Sequence, residues 1–90
     1  MTNDTIRVYD ESDGWVEYVE NNGNIYMSAH TNLDKYSKKM MIVIARTFLT
    51  FDEVYTILPH DYLVNFYNKH THVELIDEET RLYKVYGRRK

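Results

Sequence analysis

Apolar and polar residues alternate from Ile6 to Asp10, and Glu11-Ser12-Asp13-Gly14 follows with turn chemistry and a glycine free to take positive φ. A half-buried strand running into a hairpin turn is therefore expected. On the return strand, Trp15 to Glu20, alternation sets Trp15, Glu17 and Val19 on one side and Val16, Tyr18 and Glu20 on the other. Neither side is cleanly apolar, which suits a strand near an edge or a covered rim. Asn21-Asn22-Gly23-Asn24 contains the Asn-Gly pair of a tight hairpin, so Ile25 to Ala29 is read as the third strand of an antiparallel meander.

Polarity rises through His30-Thr31-Asn32, where Thr31 or Asn32 can cap a helix and Asp34 suits its positive end. Leu33, Tyr36, Met40, Ile44, Phe48 and Phe51 then recur at helical spacing, and Met41, Val43 and Leu49 widen the stripe into that of a core helix. Glu53 to Leu58 is almost continuously apolar or β-favouring, the pattern of an interior strand covered on both faces, and Pro59 ends it. A strand, a helix and a strand in that order imply a parallel crossover. Asp61 can cap a short second helix with Leu63, Phe66, Tyr67 and His70 on one face. His72 to Ile76 and Arg81 to Tyr86 flank the acidic loop Asp77-Glu78-Glu79-Thr80 as a closing hairpin. The fold class is α+β, a single domain over 1–90 with one mixed sheet in βββ-α-β-α-ββ order.

Composition narrows the classes. Ninety residues with 43% hydrophobic and 28% charged content describe one ordinary globular core. No cysteine is present, which removes disulfides and thiolate chemistry. The N-terminal residues lack a signal-peptide pattern, and the longest apolar run, Met40 to Ala45, is too short to span a membrane, so a soluble cytoplasmic protein is expected. Acids gather at Asp10, Glu11, Asp13, Glu17, Glu20 and at Asp77 to Glu79, and bases at Lys35, Lys38, Lys39 and the tail Arg88-Arg89-Lys90. Neither cluster makes a nucleic-acid footprint, and binding of nucleic acid through that tail with Lys38 and Lys39 is the weakest of three functional classes. His30, His70 and His72 have no third ligand at a diagnostic spacing, so no metal site is assigned.

The element order resembles the GCN5-related N-acetyltransferase superfamily, whose core is a meander, a long helix, a parallel strand, a second helix and a closing hairpin. The likeness covers the whole chain, minus the family's first strand and first two helices. Leu63-Val64-Asn65-Phe66-Tyr67-Asn68-Lys69-His70 is similar to the family's "A-x-x-F-Y-x-K" helix, and Arg81-Leu82-Tyr83-Lys84-Val85 looks like its last strand. The resemblance implies an acetyl-CoA site at the start of the long helix and a role for Tyr67 as the acid that protonates the departing thiolate. The family's R/Q-x-x-G-x-G/A phosphate loop aligns with Lys35-Tyr36-Ser37-Lys38-Lys39-Met40, where Lys38 and Met40 stand at the small-residue positions. Lys35, Lys38 and Lys39 are the cofactor-binding candidates as point charges; bulky side chains obstruct the backbone cradle. His60 replaces the family's Asn seven residues before the helix Tyr, and is a second catalytic candidate as a base. Thr71-His72 replaces a Gly-Phe.

Nine tyrosines and Trp15 point instead to an interface, because tyrosine and tryptophan dominate binding hot spots. Tyr9, Trp15, Tyr18 and Tyr26 exceed what the inside of so small a meander needs. The expectation is a non-catalytic protein with an acetyltransferase-like fold and no cofactor, which binds a protein partner as a monomer or homodimer. Stripped domains of this kind resemble small bacteriophage proteins, which implies a host-modulating or virion-assembly factor in the host cytoplasm. A minimal acetyl-CoA-dependent N-acetyltransferase is the alternative.

Overall fold

The computed structural model describes residues 4–87; the basic tail Arg88-Arg89-Lys90 falls outside them. Strands β1 (Thr5–Glu11), β2 (Gly14–Asn21) and β3 (Asn24–Thr31) form the meander, followed by α1 (Lys38–Thr50), β4 (Glu53–Ile57), α2 (Asp61–Asn68), β5 (His72–Asp77) and β6 (Leu82–Tyr86). They make one mixed six-stranded sheet in the spatial order β1-β2-β3-β4-β6-β5, with β3 and β4 parallel and every other pair antiparallel. Asn22 and Gly23 take positive φ, 55° and 82°, as a two-residue hairpin turn requires.

Alternation along the strands sorts the sheet into two faces. Val16, Ile25, Met27, Val54 and Val85 point to the helices and are buried with Met40, Ile44, Phe48, Leu63 and Tyr67. Helices α1 and α2 meet where the Phe48 ring stands edge-on to Tyr67, centroids 5.0 Å apart. The opposite face carries no helix, and none of its side chains is buried.

Several expectations are corrected. The long helix starts at Lys38, not near Thr31, because Ser37 is the cap: its hydroxyl accepts from the Met40 N–H. Leu33 is 52% exposed and Tyr36 lies in the loop before the helix, so their helical spacing is coincidental. Thr31 turns its hydroxyl to the loop, accepting from the Leu33 N–H. Strand β4 is interior to the sheet but covered on one face only, since Val54 and Thr56 are buried while Ile57 is 57% exposed. His60, not Asp61, holds the cap position of α2, and makes no side-chain cap bond. Asp61 instead takes Arg81, 2.7 Å away, and Arg81 Nε donates to the Leu58 carbonyl. His70 lies past the end of α2 and is exposed. No helix among the described residues is long and apolar enough to cross a membrane.

Candidate functional site

Two regions carry the candidate chemistry, and the first is the junction of β3, α1 and β4. Strands β3 and β4 pair only from Ile25↔Val54 to Met27↔Thr56, although β3 runs on to Thr31. Beyond those pairs a slot of about 250 Å³ opens, lined by Met27, Ser28, Ala29, Tyr36, Ile57 and Pro59. Tyr36 occupies its helix side: the hydroxyl donates to the Ala29 carbonyl at 3.1 Å and the backbone N–H donates to the Tyr62 hydroxyl at 3.0 Å. Neither Tyr67 nor any of Lys35, Lys38 and Lys39 lines this slot.

The start of α1 is filled from within the chain. Asp13, in the β1–β2 turn, accepts from Ser37 Oγ at 2.6 Å and from the Tyr9 hydroxyl at 2.8 Å. Its backbone carbonyl takes the Asn32 N–H, 2.9 Å away, and the Thr31 hydroxyl. Lys38 and Lys39 open a helix whose first turn has no acid, which the positive helix end disfavours; the Asp13 carboxylate supplies the missing negative charge. Bonds from Ser37 and then Tyr9 hold the Asp13 carboxyl below its ordinary pKa. Burial, and then the bond to Asp13, pushes the Tyr9 hydroxyl up to about 12.

A pH dependence follows. A depressed carboxyl contributes stability above its unfolded pKa of about 3.9 and loses it as pH falls through the folded value. Asp13→Asn is therefore expected to lower the urea midpoint at neutral pH, and the gap to the wild type is expected to close near pH 2. An equal gap at both pH values would show that the Asp13 charge is not what holds the turn to α1.

The remaining candidates are dispersed. Tyr67 is 1% exposed, its hydroxyl has no hydrogen-bond partner among the described residues, and burial, followed by the nearby Tyr36 and Tyr62 hydroxyls, holds its proton on. His60 is exposed and stacks on Tyr62, ring centroids 5.5 Å apart. Lys35 sits 5.6 Å over the Tyr62 ring. Among the described residues no group of three or more His, Asp or Glu side chains gathers around a common point that could hold a metal.

The second region is the uncovered face. One row crosses the sheet: Thr5, Val19, Tyr26, Tyr55, Lys84 and Glu74 stand opposite one another on successive strands. Tyr26 and Tyr55 stack at 5.3 Å, and Lys84 lies over both Tyr55 and Tyr86 while bonded to Glu53 at 3.0 Å. Toward the β1 edge, Arg7 lies 4.7 Å over Trp15 and pairs with Glu17 at 2.6 Å, and Trp15 stacks on His30. The interface residues expected from sequence are split by this arrangement. Trp15 and Tyr26 stand on the uncovered face, whereas Tyr9 is buried at 8% exposure and Tyr18 packs edge-on to Phe51 on the helix side.

Sequence reading missed Asp13 and Ser37 because their contact spans 24 residues. Tyr55 and Tyr86 were within reach, since period-two counting from Val54 and Val85 already sends both to the other face. Compared with protein-family models, with curated proteins and with solved structures, the chain finds no match.

Proposed function

We propose that the chain is a small non-catalytic protein with an acetyltransferase-like fold that acts by binding a protein partner on the uncovered face of its sheet. One observation carries the reading: Trp15, Tyr26, Tyr55 and Tyr86 present their rings on a face where nothing is buried. Support for the acetyltransferase likeness is the element order and the parallel β3–β4 pair that opens into a slot. Against cofactor binding stand Asp13 at the start of α1, where a pyrophosphate would meet a carboxylate, and Tyr36 in the slot.

The partner's chemistry follows from charge. Asp10, Glu17, Glu53 and Glu74 share the face with Arg7 and Lys84, and both cations are already paired, so the face carries excess negative charge. A partner offering Lys or Arg side chains complements it, and Arg also stacks on exposed rings. The same excess disfavours nucleic acid. In the bacteriophage setting implied by the resemblance, the partner is a host or virion protein and the role is host modulation or assembly.

Two measurements test this. A protein captured from bacterial lysate is purified and retitrated; Trp15→Ala and Tyr55→Ala are expected to weaken it at least about tenfold, and Leu49→Ala, on the outer side of α1, to leave it unchanged. Equal effects from all three would overturn the docking face. Titration with acetyl-CoA is expected to show no saturable binding, and Tyr67→Phe to raise stability by about 1 kcal/mol, since it deletes a buried hydroxyl without a hydrogen-bond partner among the described residues. Micromolar cofactor binding, with acetyl transfer that Tyr67→Phe abolishes, would establish the enzyme instead.

A further inference from the structure

On the helix side of the sheet, away from the face proposed for protein binding, a cleft of about 270 Å³ runs between the meander and α1. Its walls are Val8 and Tyr18 from the sheet and Val43 and Phe51 from α1 and its C-terminal cap. Period two from Ile6, which faces Tyr18, sends Val8 to the helix side, and the register slip between Arg7 and Tyr9 leaves it without a partner on β2 at the mouth of the cleft. Among the described residues, the charged side chain in the lining is Arg46.

Arg46 differs from the other arginines of the described residues. Arg7 has Asp10 and Glu17, and Arg81 has Asp61, but Arg46 makes no ion pair there. Its backbone carbonyl accepts from Thr50 Oγ1 at 2.8 Å, which turns that hydroxyl proton into the helix and leaves the guanidinium as the donor group of the cleft. An apolar cleft with one unpaired guanidinium at its wall is complementary to a monoanion carrying an apolar tail.

We infer that this cleft binds a small aliphatic carboxylate, with the carboxylate on Arg46 and the chain between Val8, Val43 and Phe51. Its extent, about 270 Å³, accommodates a short aliphatic chain. Among the described residues Arg46 is the one cation of the lining, and a monocarboxylate matches its single charge and its two-donor fork.

The probe is octanoate, titrated into the full chain and followed by two-dimensional NMR and calorimetry. Saturable binding in the submillimolar range is expected, with shifts concentrated at Val8, Tyr18, Val43 and Phe51. Octanol, which has the tail without the charge, and Arg46→Gln with octanoate are each expected to bind about tenfold more weakly or worse. Arg46 is exposed, so the variant folds, and its unchanged spectrum elsewhere checks that. Absence of saturable octanoate binding, or affinity equal for octanoate and octanol, or unchanged by Arg46→Gln, would overturn the assignment. The outcome is independent of the protein-binding reading, whose residues lie across the sheet.

Discussion

Replacing Gly14 by valine is expected to cost about 3–5 kcal/mol, enough to leave much of the chain unfolded at 37 °C. Gly14 opens β2 with φ +150°, a conformation that side chains rarely adopt, and a Cβ built there collides with the His30 backbone carbonyl. It also meets Met40 Cε at 2.9 Å. Methionine can swing aside, but the His30 carbonyl belongs to a strand locked opposite Trp15 and cannot. Gly23 supplies the control: it has φ +82° and nothing within 4 Å of a Cβ, so Gly23→Ala bears the left-handed penalty alone, about 1–2 kcal/mol. Chemical denaturation of both variants separates the two terms. Equal losses would mean that the close approach of β2 and β3 at Gly14 does not constrain the fold.

Why so much of the fold could be read from sequence, and so little of the site, comes down to range. Strands announce themselves locally: Val16 and Tyr18 alternate with Trp15 and Glu17, and Asn22-Gly23 can adopt the φ values that its hairpin needs. The start of α1 did not, because Leu33 and Tyr36 fall by chance at helical spacing while Lys38-Lys39 contradict the charge preference of a helix N-terminus. What makes that start tolerable is Asp13, a turn residue far upstream, through Ser37. A short-range rule cannot see such a contact. The same limit applies to Tyr36, whose two hydrogen bonds reach β3 and α2 and place it in the slot rather than on a helix.

Aromatic residues show the limit differently. Counting them suggested a surface, but only the sheet's two faces decide which rings reach it. Tyr9 sits past the β1 bulge, facing Val16, and is drawn inward with its hydroxyl on Asp13. Tyr55 and Tyr86 flank buried Val54 and Val85 and are sent outward by the same pleat. Cations then settle over the exposed rings, Arg7 on Trp15 and Lys84 on Tyr55, and carboxylates settle on the cations. The result is a face whose side chains are held by one another, the pre-ordering that the proposed docking role would use.

Phe48→Ala is expected to cost about 3–5 kcal/mol, a large share of the about 5–13 kcal/mol available to a chain of this length. The Phe48 ring is fully buried where α1 meets α2, standing edge-on to Tyr67 at an interplanar angle of 89°. Truncation leaves a cavity against the Tyr67 ring, whose hydroxyl is the one buried side-chain polar atom without a partner among the described residues. A cavity with a polar wall can admit water, and a water there would satisfy that hydroxyl. The two sites should therefore couple: Tyr67→Phe stabilises the wild type but loses that benefit, or reverses it, in the Phe48→Ala background. A double-mutant cycle read by urea denaturation measures the coupling, expected at about 0.5–2 kcal/mol. Strict additivity would mean that the cavity stays dry, so that the hydroxyl remains unpartnered whether or not the Phe48 ring is present.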